Sequence, residues 1–208
     1  MFWNTSEPHG LPRDPFKSCI IPRPIGWIST VAPDGTLNLA PYSFFNGVAS
    51  DPPMVMFSSG GLSADDNGNQ KDSISNAKAS GDFVCSMVSH DLLDAMNESS
   101  ATLPSNVDEF ALAGLETEPS ELVKAPRVKA APIHMECTFY DSIDLPEDRN
   151  GARNAICIGR VVGVHIRDEV MKDGFVDVTA FRPVARMGYM DYTVVDNIFT
   201  LLRPGMKG

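Results

Sequence analysis

From Gly26 to Val31 bulky apolar residues alternate loosely with small ones, and the run stops at Pro33-Asp34-Gly35. Proline presets φ and glycine accepts a positive φ, so the tripeptide is a turn and the chain returns as a second strand from Thr36 to Phe45. Asp51-Pro52-Pro53 marks the next break, and Met54 to Ser58 is a third strand. Strands in such close succession, joined by tight turns, predict an antiparallel sheet. A polar segment, Ser59 to Gln70, follows and is long enough to be mobile or functional. Asp72 or Ser73 is then the expected cap of a short helix through Ile74, Ala77 and Ala79 that stops at Gly81. Asp82 to Val88 reads as strand and Asp91 to Met96 as the start of a second helix. Prolines and acids between Pro104 and Pro132 predict short helical turns and loops around Phe110, Leu112 and Leu115. Two long strands close the pattern, His134 to Ile143 and Ala155 to Arg167, separated by a polar connection at Glu147 to Arg153. Glycines among Ile156, Ile158, Val162, Val164 and Ile166 predict that the last strand bends or bulges. No internal repeat is present, so the expectation is one domain with tails, a β-barrel with a few short helices, mainly β within the α+β class.

Composition narrows the function classes. At 208 residues and 43% hydrophobic content the chain can bury a core without staples. Seventeen Lys and Arg against 27 Asp and Glu leave a net charge of −10, which opposes nucleic-acid binding by counterion release but leaves room for a local phosphate site. The longest apolar stretches, around Pro52 to Phe57 and Ala155 to Ile166, fall short of the roughly 20 residues that cross a bilayer. Residues 1–15 carry no basic start and no apolar h-region, so a cytoplasmic protein is expected and the sequon at Asn97-Glu98-Ser99 is silent. Cys19, Cys85, Cys137 and Cys157 form no C-x-x-C pair and read as buried free thiols.

The chain contains no G-x-G-x-x-G, Walker loop, H-E-x-x-H or G-x-S-x-G. His134-Met135-Glu136-Cys137 lacks the P-C-x-x-C partner of zinc deaminases, and Asp65-Asp66-Asn67-Gly68 has Ser63 where a calcium loop needs Asp, so no metal is expected. Three stretches hold candidate chemistry. Pro22 to Thr30 with Asn38 to Asn46 places hydroxyls, an amide and aromatics at strand ends, which suits a flat heteroaromatic ligand; the alternative is that Phe44 and Phe45 are core and Ser43 and Asn46 serve the turn backbone. Lys71-Asp72-Ser73 at a helix start offers a phosphate seat, which the Asp72 carboxylate opposes, or an ordinary cap with a solvated lysine. Arg182 and Arg186 are expected to pair with surface acids, with a ligand or a partner subunit as the other readings.

Taken together, P-R-P-I-G-W-I-S-T, N-L-A-P-Y-S-F-F-N, D-P-P-M-V-M-F-S, K-D-S-I-S-N-A, D-F-V-C-S-M-V, V-D-E-F at 107–110 and R-M-G-Y resemble, in order, the flavin reductase-like, FMN-binding split-barrel family that includes flavoredoxin. The resemblance spans residues 16–192, leaving an N-terminal extension at 1–15 and a tail at 193–208. It implies a six-stranded split β-barrel that forms a homodimer with one FMN per subunit near the dimer interface. It further implies that Ser29, Thr30, Ser43, Phe44, Phe45 and Asn46 contact the isoalloxazine and ribityl chain, with Ser58 nearby. Lys71 and Ser73 match the family's phosphate-side K-D-T with Ser in place of Thr, Arg23 its P-R-P, and Arg186 its late R-[LM]-G, which serves the flavin or the neighbouring subunit. The implied activity is an FMN-dependent oxidoreductase that takes electrons from NADH or NADPH and passes them to flavin, an acceptor or a partner oxygenase; a flavin carrier without turnover is the alternative. Hydride transfer is the flavin's own chemistry, so no catalytic side chain is expected. Cys85-Ser86 and Tyr189 depart from the family pattern at the pocket's edge, and His165 reads as structural.

Overall fold

The structure is a computed structural model that describes residues 1–60 and 70–205. Asp65 to Gly68, and most of the polar segment between Ser59 and Gln70, lie outside the described residues. Seven strands form the main sheet: β1 (Gly26–Val31), β2 (Leu37–Tyr42), β3 (Phe45–Ser50), β4 (Pro53–Ser59), β5 (Asp82–Met87), β6 (Ile133–Leu145) and β7 (Asn154–Ile166). All neighbours are antiparallel, in the order β2-β1-β5-β6-β7-β4-β3. The two edge strands, β2 and β3, are consecutive in the chain and joined only by Ser43 and Phe44. A two-residue connection spans only about 10 Å, so the sheet has to curl until its edges approach, giving a barrel split along that seam. The Ser58 N–H donates to the Phe44 carbonyl at 2.7 Å and pins the seam to β4.

The expected single strand from Thr36 to Phe45 is thus two strands, and the sheet carries one more than the six implied by resemblance. Phe45 restarts the ladder because its ring fills the space where a side chain on Gly26 would sit. Strand alternation sends Ile28 into the barrel with Val55, Phe57, Phe83, Cys137 and Cys157. Trp27 points the opposite way, into a second core with Leu39, Met96, Phe110 and Val184. Burial of each such side chain contributes roughly 1.5–3 kcal/mol. The expected bends in β7 are register shifts at Ile158/Gly159 and Val161/Gly163, and the Phe83 ring occupies the place of a Cβ on Gly159.

Helix α1 (Asp72–Ser80) seals the barrel with Ile74 and Ala77 and ends at Gly81, whose φ of 82° lets its N–H reach the Ala77 carbonyl at 3.0 Å. Its N-cap is Lys71, not Asp72 or Ser73, and the Ser73 hydroxyl turns inward instead. A 3-10 turn at His90–Leu92 leads into α2 (Leu93–Glu98), and Asp108 caps α3 (Glu109–Leu112) by accepting from the Phe110 N–H at 2.8 Å. A small second sheet joins Arg23–Pro24, Val184–Arg186 and Tyr192–Val194. Cys85, Cys137 and Cys157 are buried free thiols as expected, whereas Cys19 is exposed on the 3-10 turn Phe16–Cys19. Among the described residues no helix is long and apolar enough to cross a membrane.

Candidate functional site

The seam opens into a cavity of about 540 Å3, within the usual range for small-molecule sites. Its walls are the end of β2, the Ser43-Phe44 connection, the end of β4 from Ser58 to Gly60, the start of α1, the segment from Ser99 to Leu103, and Glu109. Lys17 and Lys71 supply positive charge beside the acids Asp72, Glu109 and Asp148, Phe44 an aromatic face, and Ser43, Ser58 and Thr102 hydroxyls. That combination fits a ligand with a flat ring, a hydroxylated chain and an anionic end.

One wall is a buried polar relay. The Tyr42 hydroxyl donates to Ser73 Oγ at 3.0 Å, and Ser73 Oγ donates to Asn38 Oδ1 at 2.8 Å. Asn38 Nδ2 donates to both Glu109 carboxylate oxygens at 3.2 Å, and the Leu39 N–H donates to Glu109 Oε2 at 2.9 Å. Burial pushes the Glu109 carboxyl above its ordinary range, with the Asp72 charge adding to the shift, and burial raises the Tyr42 phenol well above its own. Ser99 Oγ accepts from Trp27 Nε1 at 2.9 Å and donates to the Met96 carbonyl, which fixes the loop that forms the opposite wall.

The structure brings Ser43, Phe44, Ser58, Lys71 and Ser73 together around this cavity. Arg23 and Arg186 line an adjoining cleft. Four other candidates lie elsewhere for identifiable reasons. Ser29 is fully buried and donates to the Pro126 carbonyl at 2.5 Å, and Thr30 is fully buried between Asn38 and the Asn76 amide. Phe45 is core, as the alternative reading held, and Asn46 is exposed with its side-chain oxygen accepting from the Gly47 N–H. Asn38, Tyr42 and Glu109 lie within stretches that the sequence singles out but were not themselves expected as site residues, and the Ser99–Leu103 wall did not stand out. Asn38 carried one readable signal, a polar residue between Leu37 and Leu39 in an otherwise apolar strand.

The expected pairing of the late arginines with surface acids is not observed: among the described residues neither Arg182 nor Arg186 forms an ion pair. Arg186 instead donates to the Tyr192 hydroxyl and the Tyr189 carbonyl. Arg23 donates to the Lys17 and Ile20 carbonyls, and burial together with the Arg186 charge lowers its pKa. On the outer face of β6 and β7, fully buried Glu136 accepts from the Glu121 and Leu122 N–H groups and pairs with His165 Nε2 at 2.5 Å. His134 meets Ser86 Oγ at 3.0 Å. The H-x-E-C segment therefore braces a loop.

Residues 18–185 match the family described as flavin reductase like domain. An uncharacterised protein of Aquifex aeolicus is 35% identical over 170 residues, covering 81% of this chain and 82% of its own. The crystal structure of nitrilotriacetate monooxygenase component B from Bacillus cereus superposes with a TM-score of 0.85 at 32% identity, over 97% of this chain and 98% of that one. Flavoredoxin of Desulfovibrio vulgaris shares the fold, with a TM-score of 0.75 at 19% identity over 96% of this chain and 98% of that one. With a family match over residues 18–185 and part of the matching motifs meeting at the seam of a split barrel, the chain belongs to the flavin reductase-like family and is a flavin-associated oxidoreductase by fold.

Proposed function

We propose that the protein is an FMN-dependent oxidoreductase that accepts electrons from NADH or NADPH and passes them to free flavin, another acceptor or a partner oxygenase, as a cytoplasmic homodimer. One observation carries the reading: Ser43, Phe44, Ser58 and Lys71, from the β2–β3 connection, the end of β4 and the start of α1, converge on one cavity of suitable size. Bound FMN supplies reversible hydride and single-electron chemistry. Phe44 offers a face to the ring, the hydroxyls of Ser43 and Ser58 face the polar ring edge and ribityl chain, and Lys71 with the positive end of α1 balances the phosphate. Ser73 contributes differently from a direct phosphate contact, because its hydroxyl proton is committed to Asn38. It holds the start of α1 against β2, and Glu109 in turn orients Asn38. The likeness to component B of nitrilotriacetate monooxygenase supports an oxygenase as the electron acceptor.

Steady-state oxidation of NADH and NADPH by the FMN-loaded protein, with free FMN as acceptor, tests the activity. Turnover with one of the two donors is expected. Retained FMN without turnover by either would replace this reading with that of a carrier reduced by another protein.

A further inference from the structure

Beside the cavity, and sharing Lys17, Pro41, Ser43 and Ser100 with it, lies a second cleft of about 360 Å3. Its cations are Lys17, Arg23 and Arg186, and its lining contains no acidic residue, in a chain whose acids outnumber its bases 27 to 17. Arg23 and Arg186 stand directly opposite each other in the small sheet, a cross-strand placement that like charges disfavour. Arg23 is only 4% exposed, so its charge has been taken out of water as well. Neither guanidinium has a carboxylate partner among the described residues; both are held by carbonyls and hydroxyls, which orient them without neutralising them. Arg186 also stacks on Tyr192 at 4.4 Å, and Arg23 lies 5.8 Å from the centre of Phe44, the ring that faces the cavity. Oriented, converging cations that the fold leaves uncompensated are what an oxyanion needs.

We propose that this cleft binds the oxyanion of the molecule that exchanges electrons with the flavin: a pyrophosphate if the molecule is the dinucleotide donor, a carboxylate if it is an organic acceptor. The inference rests on the flavin reading above and leaves the flavin's own phosphate with Lys71 and α1. An oxyanion fixed at Lys17 and Arg186 would tether the rest of its molecule toward Phe44 and the cavity mouth.

The test uses FMN-loaded protein titrated calorimetrically with inorganic pyrophosphate and with benzoate, in the wild type, Arg186→Gln, Arg186→Lys and Lys17→Gln. Lys17 is exposed, so its variant removes charge without disturbing the core. The wild type is expected to bind one probe. Arg186→Gln is expected to weaken it at least tenfold and Arg186→Lys less, with FMN affinity changed by less than twofold in both, and Lys17→Gln, whose lysine also lines the flavin cavity, is expected to weaken it severalfold. Pyrophosphate binding identifies the dinucleotide as the source and benzoate binding a carboxylate acceptor. The proposal is overturned if the wild type binds neither probe, if Arg186→Gln and Lys17→Gln bind as the wild type does, or if Arg186→Gln loses FMN, which would make the cleft the flavin's phosphate seat. Failure of the flavin reading shows separately, as wild-type protein that stays colourless.

Discussion

Glu109 is the most informative single position, because its carboxylate joins a helix, a strand and the cavity wall. In Glu109→Ala the Leu39 N–H and the Asn38 amide, both buried, lose their acceptor. Each buried group left unpaired costs about 1–3 kcal/mol, and relief from burying a carboxylate offsets part of it, so the net loss expected is about 2–3 kcal/mol. Glu109→Gln keeps one acceptor oxygen and is expected to cost about 1 kcal/mol. The pH dependence has a definite sign. The folded-state pKa is raised above the unfolded value, chiefly by burial, so the contribution to stability is full below the ordinary Glu range and is lost as pH rises through the raised folded value. Urea unfolding of the flavin-free protein at pH 4, 6 and 8 should show Glu109→Gln gaining on the wild type as pH rises. Glu109→Ala unfolding within 0.5 kcal/mol of the wild type, or a Gln-minus-wild-type difference independent of pH, would refute the reasoning.

Three further outcomes are expected. Gly188→Ala places a Cβ into the Ser18 side chain and is expected to cost about 1–3 kcal/mol in urea unfolding, since the turn that carries Lys17 has to shift. His134 has a folded pKa lowered from 6.5 to about 4, first by burial and then by the Arg127 charge. The stability it supports is therefore present above pH 6.5 and lost as pH falls toward 4, by at most about 3 kcal/mol, and the wild-type-minus-His134→Asn difference should shrink over that window. Iodoacetamide should label Cys19 alone in the native protein, because Cys85, Cys137 and Cys157 are buried and their thiols are held protonated, Cys157 with a pKa of about 12. Mass spectrometry of native against denatured protein reads this directly.

The strands and their turns were legible because they rest on local rules: Pro33-Asp34-Gly35 turns and Gly81 stops a helix whatever surrounds them. The seam was not. Nothing local distinguishes Phe44, which faces the cavity, from Phe45, which enters the core; the difference is one step of strand alternation, set by the ring of Phe45 meeting Gly26 on another strand. Ser73 illustrates the same limit, since its position favours a cap and only the neighbouring β2 supplies the Asn38 acceptor that turns it inward. Ser29 and Thr30 carry the hydroxyls a ligand would want, yet Pro126 and Asn76, distant in sequence, claim them. Glu109 went unnoticed as a site residue because its partners lie 70 and 71 positions away.

The central claim is that FMN sits in the seam cavity with its phosphate at Lys71 and the start of α1. The measurement that tests it most directly is the visible absorption spectrum of the wild type and of Lys71→Ala/Ser73→Ala after FMN loading and desalting. A flavin spectrum retained by the wild type, and reduced at least tenfold in equilibrium FMN affinity in the double variant, is the predicted result. Equal FMN affinity in the two proteins would contradict the phosphate assignment, and a wild type that retains no flavin would contradict the flavin site itself.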